Sequence, residues 1–204
     1  VFVTFVAYLG AALGAGADAQ EPSTAAVASP AAPVLLGRLL KVVDGDSLEV
    51  QLDSGLVRVR LDSIDAPEYD QPGGAEAGAK LTELLATSET LLLDVVTQDS
   101  YERLVSRVIV PKADGSELRV NEEMAKSGHA WAYRRYAKDI NYCRWEGAAR
   151  EAKLGLWARD PKDWTYPPDF RRVKRKEIEQ APDMSGETIE RCVASVEAAQ
   201  AERR

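Results

Sequence analysis

A chain of 204 residues with a formal net charge of −7, one histidine and two cysteines has room for one domain of ordinary size plus extensions. With His129 as the single histidine, a zinc centre built on the cysteines lacks its remaining ligands. The charge is uneven: residues 20–130 carry 10 Lys+Arg against 19 Asp+Glu, residues 131–176 carry 13 against 6, and residues 177–204 carry 3 against 7.

Residues 1–19 read as a signal peptide. Val1 to Gly16 is apolar or small and uncharged, and Ala17-Asp18-Ala19 follows as a small-x-small triplet. The stretch is short for a membrane span and contains Gly10, Gly14 and Gly16, which leaves an uncleaved anchor as the alternative. Residues 20–33 are mostly Ala, Pro, Ser and Thr without periodicity and read as a disordered leader. A folded domain is expected over 34–170, and a charged C-terminal extension over 171–204.

Leu35 to Val43, Ser47 to Leu52 and Leu56 to Ile64 are β-branched or alternating runs separated by Asp44-Gly45 and Asp53-Ser54-Gly55, the pattern of a hairpin meander. Gly73-Gly74 precedes a helix over Ala75 to Ala86, with Leu81, Leu84 and Leu85 on one face. Strand character returns at Thr90 to Val96 and Leu104 to Val110, and Asp114-Gly115 marks a turn. Val120 to Lys126 is a short helix that stops at Gly128. Asp139 to Leu154 is a longer one, with Tyr142, Trp145 and Ala149 on a repeating face and Gly155 as its expected C-cap. Asp160 to Pro168 reads as an extended stretch along the domain, and the Ala-rich, charged segment after Ser185-Gly186 reads as a helix. Trp131, Trp145 and Trp157 read as core. The order predicts an α+β fold, a five-stranded OB-fold β-barrel with about three appended helices. Cys143 and Cys192 allow one pairing, which would staple the C-terminal segment to the domain in an oxidising compartment; two buried thiols are the alternative.

Five residues stand out chemically: Asp46 in Asp44-Gly45-Asp46, then Arg60, Asp65 and Glu68 within Val59 to Glu68, and Arg103 in Asp99-Ser100-Tyr101-Glu102-Arg103. Three carboxylates can hold a hard cation and activate water, and two guanidiniums can neutralise phosphoryl oxygens. Each alone has a plainer reading: a turn residue at Asp46, a strand terminator at Asp65, a strand-face ion pair at Arg60. Their joint presence points to phosphodiester hydrolysis. Tyr133 and Tyr136, interleaved with Arg134 and Arg135, form a candidate base-stacking and phosphate-holding group, with Tyr136 favoured as the substrate-side ring. The basic stretch 131–176 reads equally as a backbone-binding surface or a solvated helix face.

At these residues the chain resembles the staphylococcal-nuclease-like, or thermonuclease, family. The resemblance runs from about Lys41 to Trp157 through Val43 to Ser47, Val59 to Glu68, Gly74 to Ala77, Tyr101-Glu102-Arg103, Val120-Asn121, Gly128 to Tyr133, Ala149-Arg150 and Gly155-Leu156-Trp157. It implies a Ca2+-dependent, sugar-nonspecific phosphodiesterase acting on DNA and RNA and leaving 3′-phosphates. Asp46 and Asp65 match the calcium ligands, and Ala66 a position that supplies its carbonyl. Glu68 matches the water-activating carboxylate, and Arg60 and Arg103 the phosphate-clamping pair. One departure is Glu102, where the family commonly has glycine; a positive φ there would strain a glutamate. The expected partners are single-stranded DNA and RNA, and the expected form a monomer in the periplasm or secreted. A non-catalytic nucleic-acid-binding module and an envelope scaffold are the competing readings.

Overall fold

The computed structural model describes residues 34–203; the expected signal peptide and leader lie outside the described residues. The barrel strands are β1 (Val34–Val42), β2 (Ser47–Leu52), β3 (Gly55–Leu61), β5 (Thr90–Gln98) and β6 (Leu104–Pro111). Alternation builds the interior: Leu48, Val50 and Leu52 of β2, Val59 and Leu61 of β3, Leu91 and Leu93 of β5 and Val108 and Val110 of β6 are buried. Each such side chain contributes about 1.5–3 kcal/mol relative to exposure. Shifts of register at Leu39/Lys41 in β1 and Val95/Thr97 in β5 give the bends that closure needs.

The sheet runs β3-β2-β1-β5-β6 and closes through parallel pairing of β3 with the first half of β6, Val59↔Leu104 to Leu61↔Ser106. The second half of the same β6 edge pairs with β7 (Glu117–Arg119). The five-stranded barrel expected from the sequence is therefore present. A separate two-stranded ladder joins β4 (Ile64–Asp65) to β8 (Trp131–Ala132) at the barrel mouth.

Among the described residues five α-helices accompany the barrel where about three were expected: α1 (Gly74–Leu85), α2 (Val120–Lys126), α3 (Asn141–Glu151), α4 (Pro167–Lys174) and α5 (Ile189–Ala201). Ala77, Leu81 and Leu85 bury one stripe of α1. Two expectations need correction. Asp160 to Pro168 is not one extended stretch; it includes a 3-10 turn at Pro161–Asp163, and Pro167 and Pro168 open α4, where a missing N–H costs nothing. Gly155 does not cap the long helix: α3 ends at Glu151, and the left-handed residue after it is Lys153 (φ 52°). Gly155 instead lies against Gly128, whose carbonyl accepts the Leu156 N–H, and a Cβ on Gly155 would sit 2.4 Å from that oxygen.

Cys143 of α3 and Cys192 of α5 form a disulfide, both sulfurs buried in the main core beside Val196. Trp131 and Trp157 are buried and meet edge to face, with Trp164 against Trp157, whereas Trp145 is only half-buried under Lys126. No helix among the described residues is long and apolar enough to cross a membrane. Since the disulfide closes a separation of 49 residues, its replacement in Cys143→Ser/Cys192→Ser should lower stability by up to about 4 kcal/mol. Urea denaturation of both forms measures this, and equal midpoints would show that the bond carries no stability.

Candidate active site

The site is assembled where the barrel closes. Asp44 Oδ1 accepts the Asp46 N–H (2.9 Å), fixing the turn between β1 and β2, and the Asp46 carbonyl accepts the Leu61 N–H (2.8 Å). Gly45 makes this turn possible. An added Cβ would lie 2.6 Å from Ala66 Cβ and 2.7 Å from Ala77 Cβ, so only glycine lets the Asp46 turn rest on the strand that carries Asp65. Arg60 stands opposite Ser47 in the β2–β3 register, and Asp65 opposite Trp131 in the β4–β8 ladder. Glu68 follows in a loop folded back on α1: the Gln71 N–H donates to the Glu68 carbonyl (2.9 Å), and Gln71 Nε2 donates to Thr165 O (2.6 Å). At Gly74 a Cβ would stand 1.9 Å from the Glu68 carbonyl oxygen, so this approach also requires glycine.

Asp46, Arg60 and Asp65 are buried, Asp65 completely. Arg60 divides its donors. Nη1 reaches the carbonyls of Leu61 and Ile64 (both 2.9 Å), and Nη2 reaches Asp65 Oδ1 (2.6 Å) and Asp46 Oδ2 (3.1 Å). The Ala66 N–H also donates to Asp46 Oδ2 (2.6 Å), and the Ser47 hydroxyl to Oδ1 (3.1 Å). Burial pushes the Asp46 carboxyl up to about 7; Arg60 and the Ala66 N–H oppose this, and the carboxylates of Asp44 and Asp65 add to it.

Arg103 is positioned by Asp99, which lies outside the five-residue set. Asp99 Oδ1 accepts the N–H groups of Tyr101 (2.9 Å) and Arg103 (3.0 Å), and Oδ2 accepts Arg103 Nε (2.8 Å). Partial burial pushes the Asp99 carboxyl up, but these bonds outweigh it and hold it below the usual carboxylate range. Asn121 is a second such residue. Buried, it donates to the carbonyls of Asp62 (2.9 Å) and Ser106 (3.1 Å) and accepts the Val108 N–H (2.9 Å), which ties the β3–β4 turn to β6.

Asp46, Asp65, Glu68, Arg60, Arg103, Tyr133 and Tyr136 all line one cleft of about 1010 Å³. The two tyrosine rings meet edge to face at 4.9 Å; Tyr133 is half-buried near Arg60, and Tyr136 is 47% exposed beside Arg135. Arg134 departs from the expected phosphate-holding role. It is buried, and its Nη2 pairs with Glu146 (3.1 Å) and Glu187 (3.0 Å). Those carboxylates spend its charge inside the fold.

The sequence reading missed Arg171, which it assigned to the extension. From α4, Arg171 Nη2 donates to Asp65 Oδ2 (2.7 Å), and Nη1 to Glu68 Oε1 (2.7 Å) and more weakly to Asp65 Oδ1 (3.3 Å). Arg172 and Arg175 line the same cleft, paired with Asp169 and Glu177. The excess of Lys and Arg over 131–176 was the available signal.

For a cation the side-chain donors are Asp46 and Asp65, which converge closely enough to share one Arg60 nitrogen. Among the described residues no three His, Cys, Asp or Glu side chains cluster to enclose an ion. A shell here would take these two carboxylates and be completed by carbonyl and water oxygens. All are hard donors, so the set fits a hard cation rather than a thiophilic one.

The staphylococcal nuclease homologue family model matches residues 58–159. That span contains Arg60, Asp65, Glu68 and Arg103, and stops before α4. The chain is 34% identical over 148 residues to a micrococcal nuclease of Shigella flexneri, covering 68% of this chain and 84% of that protein. It is 36% identical over 122 residues to an uncharacterized endonuclease of Escherichia coli, covering 60% and 76%. It is 36% identical over 156 residues to protein ParB of Escherichia coli, covering 72% and 88%.

Glu102, immediately before Arg103, has φ 61°, the left-handed conformation expected to strain it. Such a residue costs on the order of 1 kcal/mol relative to glycine, part of which glycine gives back through a freer unfolded chain. Glu102→Gly should therefore raise stability by up to about 1 kcal/mol. Urea unfolding measures it, and a lower midpoint would mean that the Glu102 side chain makes compensating contacts.

Proposed function

This chain belongs to the staphylococcal nuclease homologues and is a nuclease, and from that premise we propose a calcium-dependent, sugar-nonspecific enzyme that cuts single-stranded DNA and RNA to 3′-phosphates. The observation that carries this reading is the convergence of Asp46, Asp65, Glu68, Arg60 and Arg103 on one cleft. Nucleases of this family are generally metal-dependent. Calcium suits an all-oxygen shell of six to eight ligands, with Asp46, Asp65 and the Ala66 carbonyl as the protein's share. Bound there, it would supply positive charge against the phosphoryl oxygens.

The chain's own groups do the rest. Glu68 takes the proton of the attacking water. As the new P–O bond forms, the bond to the 5′ oxygen breaks, that oxygen takes a proton from solvent water to leave as the hydroxyl, and the phosphate stays on the 3′ side. Arg60 and Arg103 present planar forks to the charge that develops on the phosphoryl oxygens. Tyr133 and Tyr136 offer ring faces and edges to unstacked bases, which favours single strands. One chain supplies every residue of the site, in keeping with action as a monomer. The disulfide and the apolar N-terminal stretch support export to the periplasm or beyond.

Heat-denatured DNA should be hydrolysed in calcium and left intact in excess chelator. Asp46→Ala should lose calcium binding and cleavage together. Glu68→Gln should keep calcium binding while turnover falls on the order of 100-fold or more. Wild-type turnover in Glu68→Gln would remove Glu68 as the base. Retention of labelled single strands without cleavage, by folded protein in calcium, would favour a binding module instead.

A further inference from the structure

Arg171 comes from a part of the chain that lies beyond the family match at residues 58–159, yet it touches two of the three acids of the site. Its guanidinium takes Asp65 Oδ2 and Glu68 Oε1 at 2.7 Å each, while Arg60 takes Asp65 Oδ1 at 2.6 Å. Both oxygens of a fully buried carboxylate are thus claimed by positive groups. The carboxylate proposed to accept a proton from water is clasped by one of them.

The helix that carries Arg171 is fastened on both sides of it. Before it, the Tyr166 ring meets the edge of Trp131 with centroids 5.6 Å apart, and the Tyr166 hydroxyl accepts the Arg134 N–H at 3.0 Å. After it, Lys174 pairs with Asp70 at 2.7 Å. The Arg171 side chain itself is 29% exposed and borders the cleft. It can therefore leave the carboxylates by rotation while α4 stays in place.

A divalent cation on Asp65 and the Arg171 guanidinium would compete for the same carboxylate charge at contact distance, and two positive groups there repel. We propose that Arg171 is a positioning residue that holds Asp65 and Glu68 in the cation's stead and is exchanged for the cation when the site is loaded. This rests on the cation reading of Asp46 and Asp65 given above. Exchange frees Glu68 Oε1 for water in the same step that seats the ion, so seating the ion also releases the base. By linkage, whatever favours Arg171 on the acids weakens the ion by the same factor.

The sign of one affinity tests this. Calorimetric titration of the full, disulfide-bonded chain with calcium alone should show Arg171→Ala binding on the order of 10-fold tighter than wild type, and Arg171→Lys in between. A merely structural role predicts the reverse, because loss of Arg171 would loosen Asp65 and weaken the ion. Equal or weaker binding by Arg171→Ala overturns the exchange; should that variant fail to fold, Arg171→Lys is read against wild type by the same criterion. Titrations with magnesium and manganese separate this result from the calcium reading. If neither wild type nor variant binds calcium but the variant binds manganese more tightly, the exchange stands and calcium falls. If neither binds any of the three ions, both fall.

Discussion

Asp65 has no exposed surface, and a buried carboxylate persists as a charge only when it is paired on all sides. Here two guanidiniums divide its two oxygens, Arg60 from β3 and Arg171 from α4. Removing one partner of such a pair typically costs about 3–5 kcal/mol, because the other charge is left stranded. Around this one carboxylate the mouth of the barrel is organised. Arg60 carries Asp46 to it, and Arg171 carries Glu68. The β4–β8 ladder holds it opposite Trp131.

The position of Arg171 in turn depends on a second charged centre deeper in the fold. Glu146 is buried and accepts the Ala132 N–H (2.8 Å) together with Arg134 and Arg150. Arg134 reaches on to Glu187 and lies over the Tyr166 ring, its Cζ 4.5 Å from the centroid. Arg150 stacks on Trp157 at 4.4 Å and donates to the Glu187 carbonyl at 3.0 Å. The chain beyond the barrel is thereby bound to α3 by charge, by aromatic faces and by the disulfide. The C-terminal segment is thus a wall of the cleft rather than a tail beside it.

Sequence and structure agree where the determinants are local. Alternating Leu48, Val50 and Leu52 mark one inward face of a strand, and α2 spans the Val120–Lys126 expected for it. The five candidate residues stand out in the sequence as a set of acids and arginines within the resembling segments, and they border one cleft. The rest was hidden for a physical reason. Of the residues of α4 only Pro167 is buried, so no apolar periodicity marks the helix. Its register is set by ion pairs to Asp65, Glu68 and Asp70, more than 100 positions away. Arg134 misled for a similar reason: beside exposed Arg135 and Tyr136 it looks like surface, and only the distant Glu146 and Glu187 turn it inward.

The acidity of the whole chain is therefore a poor guide to what its cleft admits. Five acids, Asp44, Asp46, Asp65, Glu68 and Glu177, border the cleft, and the arginines beside them come from both walls, among them Arg60 and Arg103 from the barrel and Arg171, Arg172 and Arg175 from the C-terminal segment. Each of these five arginines is paired with a carboxylate of the protein itself. An arginine paired through one nitrogen, as Arg103 is with Asp99 through Nε, keeps further donors for a phosphate, and under the proposed reading a cation on Asp46 and Asp65 would loosen Arg60 and Arg171 from Asp65. The guanidiniums that make the buried acids tolerable in the fold are in this way the same ones that border the cleft.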